Sequence, residues 1–197
     1  MQTTNTSKHT RSAGLLVGAL VFSWLVTGCV STFKEVKPLS GGQPPAVRPG
    51  ALALGQLKIT DERLSQPEKQ VMTHAFEIGV EKWCVEHKVL EVLRNVGATN
   101  LPANAIMLDG TITEVEKGSA AARFWVGMGA GQQRAVGEFV VRGFDGTKLT
   151  AFTARKSYLG GQGIGGWDMM KLEDLLDQLG QLVAETTDKW LSGAKIN

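Results

Sequence analysis

The residues best equipped for chemistry in this sequence are few. Two cysteines, Cys29 and Cys84, stand with three histidines, of which His74 and His87 share one segment with Cys84. Cys84 and His87 are three residues apart, which could place both near one face of a helix. His74 lies thirteen residues before His87, a rotation of roughly 220° at helical pitch. Zinc takes three or four ligands, so no metal site is expected. Cys84 lies among Val80, Trp83 and Val85 and reads as a buried structural thiol. No Gly-x-Ser-x-Gly motif occurs, and beyond residue 28 no histidine lies outside that one segment to act as a base. The acids are spread mostly singly along helical stretches, as on solvated faces. Neither enzyme activity nor a cofactor is expected.

Two glycine-rich stretches are the next candidates. Gly127, Gly129 and Gly131 form a Gly-Met-Gly-Ala-Gly run behind Arg123, Phe124 and Trp125. A phosphate loop would feed a helix N-terminus and place a Lys beside the phosphate; this run leads toward a strand and has no adjacent Lys. It is either a strand end with tight turns packed under the last helix or a partner surface built on Phe124 and Trp125. The second stretch holds Gly160, Gly161, Gly163, Gly165 and Gly166, followed by Trp167. It is either a connector, costly to order, or a loop closing on a ligand or partner. The candidate partner surface is therefore Arg123, Phe124, Trp125, Gly127, Gly129, Gly131 and Trp167.

Cys29 has the clearest chemistry. A basic patch of Lys8, His9 and Arg11 precedes an apolar run from Ala13 to Val26. That run is shorter than the roughly 20 residues a bilayer core requires, and its flanks are those of a secretory signal. Val26-Thr27-Gly28-Cys29 resembles the bacterial lipobox. By that resemblance the Cys29 thiol receives a diacylglycerol, the Gly28–Cys29 bond is cut, and the new amine is acylated. Two or more acyl chains give firm anchoring where one gives only marginal binding. Val30 follows, rather than the Asp that favours inner-membrane retention, so the outer membrane is expected.

The signal takes Lys8 and Arg11 with it, and no acid. The 21 basic and 19 acidic residues of the full chain thus become 19 of each. A mature chain of zero formal charge without a basic face is not expected to bind nucleic acid. With Cys29 consumed, Cys84 has no partner for an internal disulfide.

The elements that must position these residues follow from periodicity and punctuation. Residues 1–28 are the signal, 29–50 a lipidated tether rich in Gly and Pro, and 51–192 one domain. A tether of some twenty residues could hold the domain up to about 70 Å from its anchor. Ala51–Ile59 reads as a strand. Ser65 with Glu68 and Pro67 opens a helix as a capping box. Met72, Phe76, Gly79, Trp83, His87 and Leu90 line its buried stripe, with Val71, Ile78, Val85 and Val92 widening it, and Gly97 is its expected C-cap. Gly79 inside it suggests a close crossing over the sheet. Ile106, Leu108, Gly110 and Ile112 alternate with polar residues as a strand. Ala135–Phe144 and Thr147–Lys156 flank Asp145-Gly146, the signature of a two-residue type I′ hairpin. That register pairs Phe139 with Phe152 and sets Glu138 diagonal to Arg155. Asp168 caps a last helix with the stripe Leu172, Leu175, Leu179, Leu182, Thr186 and Trp190. The fold class is α+β: one mixed sheet of about four strands with two helices on one face, in the order strand, helix, strand, hairpin, helix.

Thr111-Ile112-Thr113, Gly118, Arg123, the Gly127–Gly131 run and the Asp145-Gly146 hairpin together resemble the bacterial lipoproteins of domain-of-unknown-function family 4410. The resemblance covers roughly residues 50–191. That family has no assigned activity, so the resemblance implies no catalytic residues. The element order also looks like the periplasmic domains of the curli-secretion lipoprotein and the TolB N-terminal domain, a likeness of architecture alone. A membrane-spanning strand takes about 9–11 residues, so 117–133 is too short for a pore-forming hairpin. The reading is a non-enzymatic envelope lipoprotein at the periplasmic face of the outer membrane, binding protein partners or copies of itself. The alternative is a small-ligand or cell-wall-binding module closed by the Gly-rich loops.

Overall fold

Phe139 faces Phe152 across the hairpin centred on Asp145-Gly146, and the sheet grows outward from that pair. The computed structural model describes residues 32–94, 101–118, 131–158 and 170–196. In chain order its elements are β1 (Thr32–Ser40), β2 (Ala51–Ile59), α1 (Gln66–His87), β3 (Glu91–Leu93), β4 (Ala105–Glu116), β5 (Gln133–Arg142), β6 (Lys148–Tyr158) and α2 (Leu172–Leu191). The strands form one mixed sheet in the order β1-β6-β5-β4-β2-β3. β2 runs parallel to β3 and β4, and the other pairs are antiparallel.

The sheet thus has six strands, not about four. One addition, β1, comes from the stretch expected to be a free tether: Thr32 to Ser40 pairs with β6 along the far edge of the sheet. The other, β3, is only three residues long. Both helices lie on one face, as expected. There Leu52, Ile106, Phe139 and Phe152 are buried with Phe76 of α1 and Leu175 and Leu179 of α2. A register shift between Leu54 and Leu57 keeps both leucines on that side despite their odd spacing. The opposite face is polar and crossed by ion pairs: Arg142 with Asp109 at 2.9 Å, Arg134 with Glu114, and Glu35 with Lys37 at 2.7 Å. Arg155 turns to Glu35 at 3.8 Å, not to Glu138 across the hairpin.

Several local expectations are corrected. In the hairpin turn Gly146 has φ 81° while Asp145 has no positive φ, and the Gly143 N–H donates to Thr147 O at 2.8 Å. A three-residue connection with glycine in the left-handed position replaces the type I′ turn. Ser65 caps α1 as expected: its N–H and hydroxyl both donate to Glu68 Oε2, at 2.8 and 2.7 Å. The helix ends at His87, where Lys88 takes the left-handed C-cap (φ 54°) in place of Gly97. Val92 consequently belongs to β3. The cap of α2 is Lys171, not Asp168. Gly79 serves a helix crossing instead of contact with the sheet. A Cβ there would stand 1.9 Å from Asp177 O, and one on Gly180 would stand 2.1 Å from Phe76 O. The two helices therefore meet backbone to backbone where neither has a side chain.

Candidate partner surface

One end of the sheet carries the described ends of both Gly-rich stretches. Thr32 at the start of β1 pairs with Tyr158 at the end of β6, and Tyr158 with Gln133 at the start of β5. Glu116 at the end of β4 pairs with Arg134. The first Gly-rich stretch leaves from Gly118 and returns at Gly131; the second leaves from Tyr158 and returns at Met170. Both are thus attached at the end where the chain arrives from Cys29. Gln133, buried, ties the two exits together by donating from Nε2 to Met170 O at 2.7 Å. Gly118 and Gly131 both have φ 72°, a backbone that favours glycine. A Cβ on Gly118 would stand 2.8 Å from Gly131 O, so the neck admits no side chain there. Arg123, Phe124, Trp125, Gly127, Gly129 and Trp167 lie outside the described residues, as do Gly28 and Cys29. Gly131 is the one member of the expected surface that is placed.

A charged brace holds this end. Asp61, buried in the turn before α1, accepts from the Val115 N–H and its own neighbour's Arg63 N–H, each at 3.0 Å, and from the Arg63 guanidinium at 2.6 Å. The Arg63 bonds hold the Asp61 carboxyl well below the usual carboxylate range. Burial opposes this, and the backbone donors of Val115 and Arg63 reinforce it. Arg63 reaches on to Glu116 at 2.6 Å. Lys117, next in the chain, donates to Glu68 at 2.8 Å. That bond, with the N–H and hydroxyl of Ser65, lowers the Glu68 carboxyl to about 2. The entry to α1 is thereby fastened to the neck of the first Gly-rich stretch.

A second surface was not expected. By spacing, Val71, Ile78 and Val85 belong to the expected buried stripe of α1, yet they are 51%, 43% and 66% exposed. They recur every seven residues and so share one side of the helix. His87 is also on the solvent side, stacked on Trp83 with ring centroids 3.6 Å apart. Cys84, one step away, is buried, and burial, with a smaller push from Asp188, raises its thiol to about 11. Such a thiol is inert at neutral pH. Cys84 and His87 therefore point apart. Among the described residues no group of three or more His, Cys, Asp or Glu is placed to hold a metal. Nor is any described helix long and apolar enough to cross a membrane.

Residues 84–161 match the model of DUF4410, a domain of unknown function. The match runs from the last turn of α1 through β6, within the segment whose motifs carry the resemblance. No curated protein matches the chain. Among solved structures, the PelC dodecamer from Paraburkholderia phytofirmans has the same fold at TM-score 0.51 and 10% identity, covering 83% of this chain and 99% of that one. A minor lipoprotein from Acinetobacter baumannii is similar at TM-score 0.40 and 13% identity, covering 75% of this chain and 98% of that one.

Proposed function

We propose that this chain is a non-enzymatic envelope lipoprotein, anchored through Cys29 at the periplasmic face of the outer membrane, that works by protein contact and first by self-association. The observation that carries the reading is the outward stripe of Val71, Ile78 and Val85. A helix against solvent normally turns polar residues outward, and aligned exposed apolar side chains mark an interaction surface more often than scattered ones do. β-branched residues in seven-residue steps suit a helix–helix seam. The PelC protein of similar fold assembles as a dodecamer, which supports assembly as a use of this architecture.

Sedimentation of the mature chain with Cys29→Ser tests the reading. Ile78→Glu is expected to leave the helical circular dichroism intact and to shift the protein toward monomer, because a charge at the centre of the seam is desolvated on association. An association unchanged by Ile78→Glu would remove the stripe as the contact. The second reading, a small-ligand or cell-wall-binding module, is favoured by the attachment of both Gly-rich stretches at one end of the sheet; retention on isolated cell wall with no oligomer would support it.

A further inference from the structure

At the free edge of the sheet, β1 and α2 enclose a groove of about 300 Å³. Its walls are apolar where Val36, Leu182, Trp190 and Ile196 line it. The remaining side chains are mostly charged: Lys34, Lys189 and Lys195 against one acid, Glu185. Lys34 Nζ lies 3.1 Å from Glu185 Oε2, and Lys189 Nζ lies 2.6 Å from Oε1. One carboxylate therefore answers two ammonium groups, and Lys195 is exposed beside them. A fourth cation adds to the excess. Lys156 is half-buried and stands directly opposite Lys34 in the β1–β6 ladder, on the same face of the sheet. Like charges directly opposed across strands are destabilising. Burial lowers the Lys156 ammonium, Lys34 lowers it further, and Glu185 alone works the other way. Four cations thus crowd one carboxylate in a mature chain whose formal charges cancel, and an anion entering the groove would relieve the crowding.

Chain length indicates where that anion comes from. Cys29 is three residues before Thr32 and five before Lys34. Five extended residues span at most about 18 Å. Lipid on Cys29 would hold that residue at the level of the headgroups, so Lys34 cannot stand farther from the lipid phosphates than this span. Because β1 joins the sheet, the long free tether expected from residues 29–50 is not available to lift the groove away.

We propose that the groove between β1 and α2 seats the phosphate of an anionic phospholipid from the anchoring membrane. Lys34, Lys189 and Lys195 meet the phosphate, and Val36, Leu182 and Trp190 lie along the glycerol and upper acyl carbons. The choice of a membrane source rests on the reading of Cys29 as the anchor; the excess of charge does not.

The test is flotation of the mature Cys29→Ser chain, which carries no lipid of its own, with vesicles. Phosphatidylcholine vesicles alone are compared with vesicles that also contain phosphatidylglycerol. Partition onto the anionic vesicles only is expected, weakening as salt rises. The double variant Lys34→Glu with Lys195→Glu is expected to bind at least about tenfold more weakly. Lys195→Glu alone, at an exposed position beyond α2, keeps the test valid should the double variant misfold; a loss of about fivefold is expected. Equal binding to both vesicle types, or unchanged binding by the single variant, overturns the proposal. Complete displacement by inorganic phosphate overturns the membrane source in favour of a free anion. Fatty-acid labelling of the wild type in cells reads the anchor separately. Selective flotation without labelling supports the groove and sinks the anchor, whereas labelling without selective flotation sinks the groove.

Discussion

The two helices carry similar apolar content, arranged differently around each, and meet different fates. α2 buries residues on most of its circumference, from Leu175 and Leu176 through Val183 and Thr187 to Trp190. α1, two residues longer, buries only Met72, Phe76, Gly79, Val80 and Cys84. The difference is one of neighbours. α2 lies over β5 and β6 with α1 along one side. The chain between β1 and β2 closes over its far end: Trp190 Nε1 donates to Gly42 O at 3.1 Å, and Arg48 bonds Asp188 and Ser192. α1 leans on α2 and on the β2–β3 edge, and its outer side has no described neighbour. Burial on a helix thus depends on what surrounds it, and part of the apolar content of the less covered helix stays exposed.

The comparison breaks most visibly at Phe139, the ring that joins the sheet to α1. It stacks on Phe76 at 5.4 Å between centroids and tilts against Phe152 at 5.9 Å. Phe139→Ala is expected to cost about 3–5 kcal/mol in urea melts. A cost below about 1 kcal/mol would mean that α1 is not held through this ring. Next in size is Gly79→Ala. On an exposed helix that change gains about 1 kcal/mol; here the new Cβ would meet the Asp177 carbonyl at 1.9 Å, and a loss of about 1–3 kcal/mol is expected. A stabilised variant would show that the helices do not meet at their glycines.

Asp61→Asn probes the polar fastening of α1. The folded carboxyl is held below its ordinary value, so its contribution is present above the unfolded pKa of about 3.9 and is lost as pH falls below that. The variant is expected to be less stable by about 1–3 kcal/mol at neutral pH. That gap should narrow in melts taken toward pH 3; a gap independent of pH would sink the assignment. The smallest effect sharpens the comparison itself. Ile78→Glu, while weakening association, should shift the stability of the monomer by no more than about 0.5 kcal/mol.

Features built from neighbours in sequence were legible. The Ser65–Glu68 cap lies within one helical turn, and the Phe139–Phe152 register needs only the centre of the hairpin and a period of two. The three-residue turn offsets the count by one, pairing Arg142 with Lys148, and a bulge before the Val141–Thr150 pair restores the Phe139–Phe152 register. β1 was not legible. Its partner β6 is more than a hundred residues away, and Gly41, Gly42 and the prolines after it resemble a linker. An edge strand with one half-buried face also shows little alternation. Of the candidate surface, the attachment of both Gly-rich stretches at one end could not be read from composition, because it depends on which strands neighbour each other. The groove between β1 and α2 had no sequence signal at all: Lys34 and Lys195 lie at opposite ends of the chain.

By itself the sequence determined the α+β class, the Phe139–Phe152 register and the start of α1. Each rests on local spacing, where a few residues fix the geometry. Only the tertiary structure decided that residues 32–40 form a strand, that Gly79 meets α2, and that Val71, Ile78 and Val85 stay outside. Those outcomes depend on contacts between distant segments, and a side chain is buried only when some other part of the chain arrives to cover it.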